Sequence, residues 1–131
     1  MIVVDSSALV AFLTGIDDVS DAVRLRMEQE RVAVPHAVDL ECASAIRKLV
    51  QRGQLSGDEG HKAMSVLRRT KLRRYGHAHL IERIWELRDN MWPYDAAFVA
   101  LAESLDADLV TIDTKFSGVP GIGCTVRVIE P

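Results

Sequence analysis

Four short runs rich in β-branched residues constrain this chain more than anything else in it: "IVVD" (2–5), "RVAV" (31–34), "LVTI" (109–112) and "TVRV" (125–128). Each is bounded by turn or capping residues, as strands are. "KLRRY" (71–75) is a fifth, weaker run. Between them, apolar residues recur at helical spacing. Strands separated by helical segments form βαβ units, and these build a mainly parallel sheet with helices on both faces. The expected fold is α/β: a three-layer α/β/α sandwich with a mainly parallel central sheet of four to five strands. With no repeat and no linker, residues 1–131 read as a single domain.

The helical segments have distinct faces. In "DDVSDAVRLRMEQE", Asp17 or Asp18 is the expected N-cap, with Val19, Val23 and Met27 on one face. "AVDLECASAIRKLVQRG" carries Leu40, Ala43, Ile46 or Arg47, and Val50 at helical spacing, and ends at Gly53. "SGDEGHKAMSVLRR" is a further short helix, and "HAHLIERIWELRDN" shows a stripe of Leu80, Ile84, Leu87 and Met91. "DAAFVALAESL" is apolar nearly all round, the mark of a helix packed inside the molecule.

A hydrophobic fraction of 48% fits a globular core and argues against disorder. No apolar run approaches the roughly 18 residues that span a bilayer, and Met1 leads straight into "IVVD" without a basic, cleavable leader. The expected location is the cytoplasm. Cys42 and Cys124 have neither metal-ligand spacing nor the density of a disulfide scaffold, and Cys42 reads as a small buried hydrophobe. The net charge of -3 conceals a basic run, "RRTKLRR" (68–74). It reads either as a guide for a polyanion or as an edge strand protected from aggregation by its charges.

Two of the strand runs end on an aspartate, Asp5 and Asp113. In open parallel sheets, ligands bind beyond the carboxyl ends of the strands, near the point where strand order reverses. Two further acids enter helices expected at that edge: Glu41 in "DLECAS" and Asp95 in "PYDAAF". Taken singly, each has a structural reading, as an N-cap, a turn cap or a first-turn acid; Asp39 is left as surface. Taken together, four carboxylates from four segments repel one another unless one is protonated or a cation neutralises them. An oxygen-only donor set suits Mg²⁺ or Mn²⁺ rather than zinc, and such a pocket does its best work on phosphates.

"IVVDSSALVAFL", "AVDLECASAIRKL", "PYDAAFVALAESLDADLVTIDTKF" and "VPGIGCTVRVIEP" resemble the PIN domain, and more narrowly the VapC toxins of VapBC toxin–antitoxin systems. The resemblance covers nearly the whole chain. It implies a metal-dependent endoribonuclease that uses Mg²⁺ or Mn²⁺, is silenced by a cognate VapB-like antitoxin, and forms a homodimer and a toxin–antitoxin hetero-oligomer. It places Asp5, Glu41, Asp95 and Asp113 as the catalytic, metal-binding acids. Ser7 and Thr111 fall beside them as orienting hydroxyls, although Ser7 is equally a helix-start residue. Ser44 stands where such toxins commonly have asparagine, which implies altered geometry around the acids rather than lost activity. Arg47, Lys48, Lys115 and the 68–74 run are expected guides for single-stranded or looped RNA, with a surface ion pair as the other reading of Arg47. The alternative function is a catalytically inactive PIN scaffold that binds RNA or protein. A phosphoryl-receiver domain needs a pair of acids at the first strand, and a haloacid-dehalogenase-like phosphatase needs an aspartate where Ser7 stands.

Overall fold

The structure, a computed structural model, describes residues 1–131. Five strands form one sheet: β1 (Ile2–Val4), β2 (Val32–Pro35), β3 (Arg73–Tyr75), β4 (Asp108–Thr111) and β5 (Val126–Val128). The helices are α1 (Ser6–Thr14), α2 (Ser20–Glu28), α3 (Val38–Gln51), α4 (Gly57–Arg69), α5 (Ile81–Glu86) and α6 (Pro93–Leu105). Short 3-10 turns cover Ala78–Leu80 and Thr114–Phe116.

Strand order is β3-β2-β1-β4-β5, and every pairing is parallel. The chain steps outward from β1 to β2 to β3, then crosses back through α5 and α6 to lay β4 on the other side of β1. Right-handed crossovers put α1 to α4 on one face of the sheet and α5 and α6 on the other. Strand order therefore reverses between β1 and β4, and the crevice of an α/β sheet opens at that reversal.

Burial follows from this layering. Ile2, Val3 and Val4 are all at most 1% exposed, because a parallel strand covered on both faces needs apolar residues at every position. Seven consecutive residues of α6, Ala96–Ala102, are buried all round the helix, four of them alanines that let it lie close to β1, β2 and β4. Thirty buried residues make one continuous core. Gly60 permits close contact between α3 and α4: a Cβ there would stand 2.8 Å from Val50 Cγ2. No helix is long and apolar enough to cross a membrane.

Local expectations are corrected in three places. Neither Asp17 nor Asp18 caps α2, which begins at Ser20 behind Val19; Asp17 instead closes the preceding turn, its Oδ1 accepting from Val19 N–H at 3.0 Å. On α3 the buried face is Val38, Cys42 and Ile46, and Leu40 is 76% exposed. Two residues along a helix is roughly 200° of rotation, so Leu40 and Val38 cannot share a face. The 77–90 segment is a 3-10 turn followed by the six-residue α5, although Leu80 and Leu87 of its stripe are buried as expected.

Candidate active site

Asp5 directly follows β1, and parallel pairing of Val4 with Val110 puts it opposite Thr111 on β4. Its carboxylate accepts three hydrogen bonds: Ala8 N–H at 3.0 Å, Ser7 O–H at 2.8 Å and Thr111 O–H at 2.7 Å. The Ala8 bond caps α1, so capping and site-building coincide in one side chain. Asp5 is only 2% exposed. Burial pushes its pKa above the ordinary range, while the three donors and the Lys115 charge pull it back. Thr111, fully buried, also accepts from Asp113 N–H at 3.0 Å and so ties the first acid to the backbone of the last.

Glu41 lies in the first turn of α3. Its Oε2 accepts weakly from Ser6 O–H at 3.5 Å, and its Oε1 is buried without any hydrogen-bond partner. Burial, with the nearby charge of Asp95, raises its pKa to about 7. Asp95 is the third residue of α6 and does not cap it; Trp92 holds the cap position with no side-chain bond. Asp113 caps the following 3-10 turn by accepting from Lys115 N–H at 2.9 Å.

Lys115, read from the sequence as an RNA guide, joins the set of acids. Its Nζ lies 3.0 Å from Asp95 Oδ1 and 3.7 Å from Asp113 Oδ2, and its charge also acts on Asp5 and Glu41. Burial works against the ammonium, yet the Asp95 hydrogen bond and the surrounding carboxylates hold its pKa above the usual lysine value. One cation thus serves all four acids. They are not a closed cage as they stand: no three His, Cys, Asp or Glu side chains are gathered tightly enough to hold an ion. The chemistry of the set nevertheless fits a hard divalent cation. All the donors are carboxylate oxygens, one of them is buried and unpartnered, and the repulsion between Glu41 and its acidic neighbours is what such a cation relieves.

Beside Glu41 and Asp95, a cleft of about 600 Å³ is lined by Ser6, Glu41, Ser44, Lys48, Trp92 and Asp95, among others. Ser44 and Arg47 are exposed, and neither Arg47 nor Lys48 takes part in an ion pair. In the basic run, Arg74 is held by both oxygens of Asp39, each at 2.8 Å, so Asp39 has a structural partner. Arg68 and Arg69 end α4, Lys71 lies in the connection and Arg73 is on the edge strand β3.

A reversal-point crevice with acids after β1 and β4 and at the starts of α3 and α6 agrees with comparison to known proteins. The chain belongs to the PIN-domain family, whose model matches residues 2–122. Within that family it is 43% identical over 129 residues to Ribonuclease VapC9 of Mycobacterium tuberculosis, covering 98% of each chain. It is 34% identical to Ribonuclease VapC1 of the same organism, covering 98% of this chain and 97% of that one. Among solved structures, the Mycobacterium tuberculosis sarcin-ricin-loop-cleaving toxin VapC20 superposes with a TM-score of 0.70 at 20% identity, covering 91% of this chain and 96% of that one. VapBC2 from Rickettsia felis, bound to a promoter DNA fragment, gives 0.72 at 16% identity, covering 99% and 100%. At such identities these two likenesses speak to the fold.

Proposed function

We propose that this chain is the toxin of a type II toxin–antitoxin pair, an endoribonuclease that hydrolyses RNA phosphodiester bonds at the Asp5, Glu41, Asp95 and Asp113 site with Mg²⁺ or Mn²⁺. The observation that carries this reading is the buried, unpartnered Glu41 oxygen within a set of acids that share one lysine as countercharge. The similarity to VapC ribonucleases along nearly the whole chain supports the same reaction class. An inactive scaffold is not favoured, because all four acids are present.

The chemistry supplied by a bound divalent cation is polarisation of the phosphoryl oxygen and activation of water. The chain's own residues do the rest. Thr111 and Ser7 fix Asp5 in one rotamer by donating to separate carboxylate oxygens. Glu41, whose Oε1 has no protein partner, is suited to hold the cation and to accept a hydrogen bond from the attacking water. Lys115 neutralises Asp95 and Asp113 until a cation takes over that role. Arg47 and Lys48, exposed and without ion-pair partners, meet the RNA backbone.

The same reading includes a VapB-like antitoxin, as in the VapBC complexes among the structural neighbours, and the cytoplasm as the place of action. It also includes a homodimer, for which the uncovered Ile81 and Trp85 of α5 offer an apolar contact. Incubating the purified chain and RNA with Mg²⁺ or Mn²⁺ tests the activity. Cleavage is expected, and EDTA or Asp95→Asn abolishes it; cleavage that persists through both contradicts the proposal.

A further inference from the structure

The cleft that contains Glu41 and Asp95 has a second wall that hydrolysis itself does not use. Glu41, Ser44 and Lys48 of α3 line one side, and Trp92 and Tyr94 at the start of α6 line the other. Trp92 is 76% exposed and Tyr94 62% exposed, so two large aromatic faces stand in water within the same cleft as the acids. The backbone of Trp92 is extended ahead of Pro93, at φ -64° and ψ 149°, and proline restricts it to that region, so the ring is presented from a fixed base. Lys48 reaches the cleft with no carboxylate partner. Carboxylates, an uncovered π-face and a free ammonium therefore share one opening.

We propose that Trp92 is a stacking platform for an unpaired RNA base next to the scissile phosphate, with Lys48 holding an adjoining phosphate. This rests on the nuclease reading and deepens it by naming the side chain that contacts a base. A base inside a duplex has both faces covered, whereas an unstacked base offers one to an aromatic side chain whatever its identity. The ring and Lys48 favour a polynucleotide over an apolar protein segment, and the repulsion of Glu41 and Asp95 for its phosphates is what the divalent cation offsets. An apolar protein segment laid over Trp92 would take Lys48 out of water with nothing to pair it; a polynucleotide brings a π-face for the ring and a phosphate for the ammonium.

The test uses the full chain with Asp95→Asn, which stops cleavage, and a fluorescein-labelled, random-sequence 12-nucleotide RNA followed by anisotropy. Adding Trp92→Ala is expected to weaken binding about tenfold, adding Trp92→Phe to leave it within about threefold, and a hairpin duplex to be insensitive to either change. Thermal melts of the variants keep folding separate from binding, since an exposed ring contributes little to the core. If Trp92→Ala binds the single strand as tightly as its parent, the platform is overturned while the nuclease reading stands. If the parent binds no RNA and the unsubstituted chain cuts none, both fall. If Trp92→Ala leaves RNA binding unchanged but converts a sedimenting dimer to a monomer, the ring belongs to an interface between copies and the proposal is wrong.

Discussion

Asp5 shows how one side chain serves both the fold and the chemistry. Its carboxylate is nearly inaccessible and spends its oxygens on a helix N–H and two hydroxyls, so removing a donor strands a buried charge. Thr111→Val keeps the side-chain shape and deletes one donor; urea denaturation should register a loss of about 1–3 kcal/mol, and an unchanged midpoint would show that the bond is dispensable. Glu41 makes the complementary case. Its pKa rises from 4.5 to about 7 on folding, so its contribution to stability is fully present below pH 4.5 and is lost as pH climbs through 7. Glu41→Gln cannot ionise, and its melting temperature should fall less than the parent's between pH 4.5 and 7.5. Parallel curves for the two proteins would refute the assignment. The placement of the four acids was legible in the sequence because each sits beside a strand end or helix start. Lys115 as their shared countercharge was not, since nothing local distinguishes a surface lysine that reaches the acids from one that does not.

The elements were readable in proportion to how local their signals are. β1, β2 and β4 announce themselves through short runs rich in β-branched residues, and α4 through Ser56 and Glu59, which form a reciprocal capping box. The face of α3 was misassigned at Leu40 because several apolar sets in that segment share helical spacing, and only packing against α1 and α4 selects Val38, Cys42 and Ile46. A long-range tie was invisible in the sequence altogether. Arg83 of α5 donates to both oxygens of Glu103 on α6 and to Gly121 O, while Glu103 accepts from Gly123 N–H. These partners lie 20 to 38 residues apart in the chain, and together they pin the loop leading into β5. Glu103→Ala should cost about 1–2 kcal/mol and speed hydrogen exchange at Gly123, with the amides of β1 unaffected. Slow exchange retained at Gly123 would assign the loop's order to other contacts.

In the molecule as a whole, the chain order sets the strand reversal between β1 and β4, the reversal opens the crevice, and four separate segments deliver acids to it. A cation that binds only this folded arrangement stabilises it by mass action, about 2.7 kcal/mol at a hundredfold excess over its Kd. Mn²⁺ should therefore raise the melting temperature at pH 8, EDTA should reverse the gain, and the effect should shrink at pH 5, where Glu41 is protonated. The most direct measurement is a calorimetric titration of Mn²⁺ into the parent chain and into Asp5→Asn, Glu41→Gln, Asp95→Asn and Asp113→Asn, one at a time. Residues acting on a common ion predict that every substitution weakens binding about tenfold or more. Parent-like affinity in all four folded variants would contradict a shared site.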